Sequence, residues 1–152
     1  MEKKIIANNK KAFHDFFILD KYECGIVLFG TEIKSLRLGK VNLKDSYCYI
    51  DNGEIFAKGI HISPYEKGNI FNKDPLREKK LLMHKKEIYK LFGEVTQKGL
   101  TLIPLSIYFY GKYAKLELGL CKGKKLYDKR DTEAEKSVKM QINKVLRENQ
   151  KY

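Results

Sequence analysis

The sequence predicts a mainly β fold: an OB-like barrel with one short helix and one longer helix packed on it, followed by a basic C-terminal tail. Short segments rich in aromatic and β-branched residues recur along the chain, and two stretches with helical spacing lie between them. A chain of 152 residues is long enough for one domain with a substantial core. We therefore expect a basic N-terminal arm over 1–12, an OB-like barrel domain over 13–121 and a basic tail over 122–152.

The N-terminal part of the chain contains the arm, two strands and the short helix. The arm, residues 1–12, is polar and basic, and we expect it to become ordered only on a partner. Residues 13–19 and 22–28 are rich in aromatic and β-branched side chains and predict strands separated by a polar pair. Two apolar residues three positions apart, followed by Gly39 in a left-handed cap position, predict a short helix over 31–39.

The middle of the chain predicts a hairpin and then the longer helix. Residues 46–50 and 54–62 flank Asp51-Asn52-Gly53, whose asparagine and glycine tolerate the positive φ angles of a tight turn. Further on, apolar residues at near-helical spacing predict a helix that ends at Lys98-Gly99. Asn72-Lys73-Asp74-Pro75 is a helix-entry or loop signal that allows an early start, and the alternative is a start as late as His84. These apolar residues are Leu81, Leu82, Ile88, Leu91, Phe92 and Val95. Of the first two, we expect one leucine in the core and the other free to contact a partner.

A second hairpin closes the barrel sequence. Residues 100–110 and 112–120 predict its two strands, with Gly111 at the turn. The second strand alternates apolar and polar residues, so that one face packs in the core and the other is exposed to solvent. The inward residues are Ala114, Leu116, Leu118 and Leu120, and the outward residues are Lys115 and Glu117.

The tail after Gly119 is polar and basic but carries a narrow apolar stripe. Ala134, Val138, Ile142 and Val145 follow one another at helical spacings, surrounded by basic residues. Such a stripe buries too little surface to fold alone. We therefore expect the tail to be largely disordered when free and helical on a phosphate-rich surface.

The charge of the chain favours a polyanionic partner but does not name it, because nucleic acid, an anionic membrane surface and an acidic protein all satisfy it. The formal net charge of +12 and the pI near 9.5 exceed what solubility requires, and lysine and arginine bind phosphates with release of counterions. The sequence shows neither a basic amphipathic anchor nor a lipidation signal, so no membrane partner is expected. The N-terminal apolar stretch Ile5–Ala7 is too short for a secretory signal, and three cysteines without a CxxC pair favour a reducing cytoplasm.

No motif in the sequence predicts catalysis or a cofactor. The nucleophile, P-loop and dinucleotide signatures are missing. The histidines, His14, His61 and His84, lie far apart and lack the spacing of a metal motif. We expect a protein that is not an enzyme and that requires neither a metal nor a cofactor.

Two places in the sequence are candidates for RNA contacts. Glu23 lies in a predicted strand, where an acidic residue is more often solvent-exposed than functional. A carboxylate can nevertheless accept hydrogen bonds from a guanine edge or a sugar hydroxyl. In the tail, Lys122-Gly123-Lys124-Lys125 alone is typical of a solvated charge cluster. Tyr127 followed by Asp128-Lys129-Arg130 adds a stacking ring beside two phosphate clamps, with a carboxylate that can fix their geometry.

A series of motifs, each weakly specific alone, is highly specific in its order and spacing. In the barrel sequence the motifs are Asn9-Lys10-Lys11-Ala12 with His14, Glu23 and Gly25, 30–37, Gly39-Lys40 with Asp45-Ser46-Tyr47, Asp74-Pro75 with Arg77, Lys80-Leu81-Leu82, Glu87-Ile88, and 104–108. In the tail they are Gly123-Lys124-Lys125 and Tyr127-Asp128-Lys129-Arg130. On these motifs the chain resembles the SmpB family, the SsrA-binding proteins that partner transfer-messenger RNA in bacterial ribosome rescue.

The resemblance implies an OB barrel that clasps the tRNA-like domain of transfer-messenger RNA, in the place of a missing anticodon arm. It assigns RNA contacts to Glu23, Leu82 and Lys115, assisted by the basic segment Asn9, Lys10 and Lys11. It also implies a tail that enters the empty messenger channel of a stalled ribosome. The tail positions so implied are Gly123 and Lys124 at the root, Tyr127 as the stacking ring, and Asp128, Lys129 and Arg130 near the decoding centre.

The resulting hypothesis is a monomeric, cytoplasmic adaptor that delivers alanyl-charged transfer-messenger RNA, with elongation factor Tu bound through that RNA. Tyr127 stands where many relatives carry histidine, so its expected role is ring stacking and not a protonation-dependent contact. A basic structural ribosomal protein, with the barrel as a ribosomal RNA anchor, stays open as an alternative. A further alternative is a small nuclease on an OB scaffold. It is remote, because it would need clustered carboxylates or an Arg/Glu catalytic set.

Overall fold

The structure is a computed structural model that describes residues 2–124. The strands are β1 (Lys3–Asn8), β2 (Phe16–Ile26), β3 (Val41–Asn42), β4 (Tyr47–Asp51), β5 (Glu54–Lys58), β6 (His61–Ile62), β7 (Lys79–Leu82), β8 (Thr101–Tyr110) and β9 (Tyr113–Gly123). The helices are α1 (Lys10–Asp15), α2 (Gly30–Arg37) and α3 (Lys85–Lys98), with a 3₁₀ turn at Asn69–Phe71. The predicted tail helix and the tail residues after Lys124 lie outside the described residues.

An antiparallel sheet that closes on itself forms the body of the molecule. Its strand order is β1-β8-β4-β5-β7-β2-β9, and the additional pairing of β8 with β9 closes the ring, to which β1 is attached along β8. Irregularities in the register between Ile18 and Asp20 on β2, and between Pro104 and Ser106 on β8, help the long strands to bend around the barrel. The mainly β, barrel-like fold expected from the sequence is confirmed.

The N-terminal segment departs from the sequence prediction. Residues 3–8 are not an arm awaiting a partner, because Lys3–Asn8 pair with β8 from Tyr110 back to Ser106. Residues 13–15 are not the start of a strand, because they belong to helix α1. β2 then runs without interruption through Asp20-Lys21, where a break was expected. A polar, lysine-rich strand carries little local signal, and its partner lies about a hundred residues away in sequence.

The middle of the barrel agrees with the sequence at its turns. Helix α2 is followed by Gly39 with φ of +75°, and the hairpin of β4 and β5 turns at Asn52 and Gly53, whose φ angles are +52° and +75°. The strand expected over 54–62 is divided into β5 and β6, with Gly59 between them at φ of +85°. The turn chemistry that the sequence indicates is therefore present, but Gly59 shortens the strand.

The longer helix is shorter than its apolar pattern suggests. Helix α3 covers Lys85–Lys98 with His84 as its N-cap, as the later of the two expected starts requires, and Gly99 caps its end at φ of +65°. Leu81 and Leu82 precede the helix on strand β7, between β5 and β2. Leu81 faces the core and Leu82 faces outward, because successive side chains of a strand alternate. The expectation of one buried and one exposed leucine is met, but both leucines were expected on the longer helix and lie instead on β7.

The core fills the barrel and extends beyond it at one end. Inside, apolar residues from every wall strand meet the buried face of α3, including Leu91 and Ile88. A smaller cluster lies on the outer face of β8 and β9, where α1 covers the wall. Its members are Ala12, Ile103, Leu105 and Cys121, with Phe16 and Ile18 packed against them. α1 is therefore an integral part of the fold.

Candidate nucleic-acid interface

A row of residues crosses the outer wall of the barrel. In the register of the sheet, Leu82 on β7 lies opposite Gly25 on β2, Gly25 lies opposite Lys115 on β9, and Lys115 lies opposite Tyr108 on β8. Directly opposed residues share a face. Glu23 lies two positions before Gly25 and therefore points to the same side. The fold thus brings Glu23, Leu82 and Lys115 together, although they come from three separate strands.

These side chains line a shallow concavity of about 390 Å³. Its wall includes Glu23, Leu82 and Lys115, with Glu87 of α3 at its border. Gly25 forms the floor, where an added Cβ would lie 3.3 Å from the Leu82 Cβ. Because glycine leaves this space open, Leu82 can lie over β2 while 54% of its surface stays exposed. An exposed aliphatic side chain between a carboxylate and an ammonium is suited to contact a base or ribose and its polar edge.

The Glu23 carboxylate is held by a buried tyrosine. The Tyr108 hydroxyl donates a hydrogen bond to Glu23 Oε2. Burial first, and then this hydrogen bond, raise the pKa of Tyr108, so its hydroxyl stays a donor at neutral pH. Lys3 Nζ lies 4.3 Å from the centre of the Tyr108 ring and covers its outer side. Strand β1 therefore contributes a lysine to this surface, which the sequence alone did not indicate.

A basic surface lies at the other end of the barrel, on α1. Lys10 is exposed, whereas Lys11 Nζ forms an exposed ion pair with Asp45 at 2.7 Å. Asn9 is 4% exposed, and its side-chain amide donates to the carbonyl oxygens of Leu43 and Pro104. Its Oδ1 accepts a hydrogen bond from Ala12 N at the start of α1. The Asn9 side chain therefore positions the helix that carries Lys10 and Lys11.

The root of the tail lies beside α1. β9 continues to Gly123, and the next amide, Lys124 N, donates to the carbonyl oxygen of Asp15 at 3.0 Å. Lys124 Nζ lies 5.2 Å from the centre of the exposed Phe17 ring. The other tail positions indicated by the resemblance, Tyr127, Asp128, Lys129 and Arg130, lie outside the described residues.

The predicted barrel contacts therefore form two groups and not one. Glu23, Leu82 and Lys115 surround one concavity, while Lys10 and Lys11 lie near the tail root, at the other end of β2 and β9. The sequence reading missed Gly25 and Tyr108 as parts of the first group. A glycine inside a predicted strand is a signal for close approach of a neighbour. The role of Tyr108 depends on strand register, which its sequence position does not show.

Within residues 2–124, no group of three or more His, Cys, Asp and Glu side chains is arranged to hold a metal ion. In the same residues no helix is long and apolar enough to cross a membrane. Cys24, Cys48 and Cys121 are free and buried, and burial raises the pKa of the Cys24 thiol to about 12. These cysteines belong to the core.

Comparison with known proteins identifies the family. The model of the SmpB protein family matches residues 6–148. The chain belongs to the SmpB family. The SsrA-binding protein of Carboxydothermus hydrogenoformans is 60% identical over 144 residues, which cover 95% of this chain and 97% of that protein. The SsrA-binding protein of Acetivibrio thermocellus is 58% identical over 148 residues, with 97% and 96% covered.

A solved SmpB structure agrees with the fold. A chain in the structure described as "tmRNA-SmpB: a journey to the center of the bacterial ribosome" is 52% identical, with a TM-score of 0.67. The similarity covers 79% of this chain and 85% of that chain. The resemblance to SmpB noted in the sequence is confirmed. The SmpB family match also extends past the described barrel, so the tail is part of what this chain shares with the family.

Proposed function

We propose that this chain is a non-enzymatic, cytoplasmic RNA-binding adaptor for trans-translation, which binds the tRNA-like domain of transfer-messenger RNA and brings it to stalled ribosomes. The single observation that carries this proposal is the concavity in which Glu23, Leu82 and Lys115 converge around Gly25. It combines a hydrogen-bond acceptor (Glu23), an apolar contact (Leu82) and a cation (Lys115). Together these can distinguish an RNA from other polyanions. Membership of the SmpB family and the names of the relatives support the same function.

Selection of the RNA belongs, in this proposal, to the barrel surface. Glu23 accepts hydrogen bonds from a base edge or a ribose hydroxyl, and its hydrogen bond with Tyr108 fixes where the free carboxylate oxygen points. Lys115 binds phosphate beside it. Lys10 and Lys11 add a second phosphate contact near the tail root, with Asn9 acting through the position of α1.

The tail acts, in this proposal, as the sensor of an empty messenger channel. Gly123 and Lys124 set its origin, Tyr127 stacks, and Asp128, Lys129 and Arg130 contact the decoding centre. The chain acts as a monomer, and elongation factor Tu joins through the charged RNA. No membrane, metal or cofactor takes part.

The experiment that tests this division compares two sets of variants. Lys115→Ala and Glu23→Gln should weaken binding of transfer-messenger RNA about tenfold, a change of roughly 1.4 kcal/mol in binding free energy. Lys58→Ala on β5 is the matched control for Lys115→Ala, because it removes an exposed lysine outside the concavity. Binding is measured by fluorescence anisotropy at fixed salt.

The second set substitutes Asp128, Lys129 and Arg130 together by alanine. This triple variant should bind isolated transfer-messenger RNA like the parent but should abolish tagging of peptides on stalled ribosomes in a reconstituted translation system. A tail triplet that proved necessary for binding the isolated RNA would refute the division. Stoichiometric retention on ribosomes after a high-salt wash, with no small RNA co-purifying, would instead indicate the structural ribosomal protein.

A further inference from the structure

A second concavity, of about 370 Å³, lies where β2 ends, between the start of α2 and the loop that leads to β7. We call it the aromatic–lysine concavity. Its wall carries three aromatic rings and three lysines, Phe29, Tyr65, Phe71, Lys34, Lys67 and Lys73. None of these residues belongs to the wall of the Glu23 concavity, so the two sites can be altered separately.

The loop that forms this wall is held by its own polar contacts. Asn72 Oδ1 accepts a hydrogen bond from Tyr65 N, and Asn72 Nδ2 donates to the Tyr65 carbonyl oxygen, both at 2.8 Å. Gly68 permits this closure, because an added Cβ would lie 2.6 Å from Asn72 Oδ1 and 2.9 Å from Thr31 Cγ2. The Thr31 hydroxyl donates to the Phe71 carbonyl oxygen. The rings of the loop are thus preorganised against α2.

A partly buried ion pair between Arg77 and Glu32 ties the same loop to helix α2. The Arg77 guanidinium bonds both carboxylate oxygens of Glu32, at 2.7 and 3.0 Å, and Glu32 Oε1 also accepts from Phe29 N. Because Glu32 is 5% exposed and fully engaged, its charge is not presented to the concavity. No carboxylate belongs to the wall itself, so the three lysines give it a strongly positive field.

The aromatic rings and the cations alternate on the surface. Lys73 Nζ lies 4.4 Å from the centre of the Phe29 ring, and Lys34 Nζ lies 5.5 Å from that of Tyr65. Phe71 is 70% exposed and Phe29 is 47% exposed. Exposed rings next to lysines, in a site without carboxylates, match the way single-stranded RNA is bound, with bases on rings and phosphates on cations.

We propose that the aromatic–lysine concavity binds one unpaired RNA nucleotide, with its base against the Phe71 ring and its phosphate between Lys67 and Lys73. An acidic protein segment would use the lysines but would leave the rings without planar partners. This RNA site is independent of the Glu23 concavity and does not rest on the function proposed for it.

The first test uses the full chain and a short oligouridine that contains 4-thiouridine. Because the tail and the Glu23 surface also attract RNA, the readout is the position of photochemical crosslinks, mapped by mass spectrometry. We expect crosslinks in residues 65–73. Crosslinks confined to the tail and the Glu23 concavity would overturn the proposal.

The second test separates the rings from the charges. Phe71→Leu keeps an apolar side chain but removes the stacking plane, and should reduce crosslinking in 65–73 about fivefold or more. Ile70→Ala is the matched control, because Ile70 is 87% exposed and lies outside the wall. Equal crosslinking in both variants would refute the stacking.

The charge test uses Lys67→Glu with Lys73→Glu. Crosslinking in 65–73 should fall at least fivefold, while Lys44→Glu with Lys58→Glu, two exposed lysines outside the wall, should leave it within twofold. Melting curves verify that each variant is folded. If polyglutamate is bound by the parent and not by the first double variant, while RNA crosslinking is unchanged between them, the site binds protein and the proposal is wrong.

Discussion

The Tyr108 hydroxyl on β8 donates a hydrogen bond to the Glu23 carboxylate on β2, across the intervening strand β9. Tyr108 is 1% exposed, whereas Glu23 is at the surface. A donor buried in the wall therefore orients a carboxylate that is exposed on the surface of the barrel. One Glu23 oxygen is occupied by Tyr108, and the other is available.

Tyr108→Phe should weaken RNA binding through Glu23 alone. Without the hydroxyl, the carboxylate loses its fixed orientation. A hydrogen bond to a charged group contributes about 1.5 to 3 kcal/mol. Because the carboxylate can still turn toward the RNA, only part of this energy is lost from binding, and we expect a three- to tenfold loss of affinity. The measurement is anisotropy with transfer-messenger RNA. In a Glu23→Gln background the Tyr108→Phe change should have a much smaller effect, and equal effects in both backgrounds would contradict the coupling.

Leu81 and Leu82 offer a comparison of neighbours with opposite roles. Leu81 is 2% exposed, so Leu81→Ala should lower the free energy of unfolding by about 2 to 5 kcal/mol. Leu82 is 54% exposed, so Leu82→Ala should change it by less than about 1 kcal/mol but should weaken RNA binding several-fold. Urea titration and anisotropy measure the two quantities. Normal RNA affinity in Leu82→Ala would remove this residue from the interface.

Near the tail root, substitution of Asn9 should affect stability, whereas substitution of Lys10 should affect RNA binding. Asn9→Ala leaves the Leu43 and Pro104 carbonyl oxygens without their donor and removes the cap of α1, so the free energy of unfolding should fall by about 2 to 4 kcal/mol. Lys10→Ala should leave stability within about 0.5 kcal/mol and reduce the salt dependence of RNA binding. A stable Asn9→Ala variant with weakened RNA binding would show instead that Asn9 contacts RNA directly.

The stability of the barrel should depend on the protonation of Lys79. Lys79 is completely buried, and its Nζ donates to the carbonyl oxygens of Ile60 at 2.8 Å and Arg77 at 2.7 Å. Burial lowers the pKa of Lys79 from 10.5 to about 8. Between these two values the unfolded chain binds one more proton than the folded chain, so this residue makes the fold more stable as pH rises from 8 to 10.5.

Lys79→Met removes this titration. The difference in unfolding free energy, parent minus variant, should therefore increase from about pH 7.5 to about pH 10. Taking the difference cancels the tyrosines, which also titrate at high pH. Denaturant titrations of both proteins at four pH values measure it, and a flat difference would show that the carbonyl oxygens keep Lys79 at its ordinary pKa.

Local signals predicted much of the fold. Asn52-Gly53 specifies the tight hairpin turn, Gly39 and Gly99 mark the helix ends, and the alternation after Ala114 gives the faces of β9. These features depend on a few neighbouring residues, whose conformational preferences act within the chain segment itself.

Other elements depend on partners distant in sequence. The segment Lys79–Leu82 looks like the first turn of α3 until β5 and β2 are placed on either side of it, and Lys3–Asn8 look like a polar arm until β8 is present. The candidate site shows the same limit. The family resemblance indicated Glu23, Leu82 and Lys115, but the contribution of Tyr108 follows from the register of β8, β9 and β2, which the sequence does not display.

Strand β9 connects the Glu23 concavity with the root of the tail. Lys115 and Gly123 lie on the same strand, about 27 Å apart at the usual rise per residue, and that strand is hydrogen-bonded to β2 on one side and β8 on the other. Because both of its edges are hydrogen-bonded, β9 keeps a fixed course between these two residues. The last residue of β9, where the tail begins, is therefore held at a fixed distance from the Glu23 concavity, on the same strand that carries Lys115.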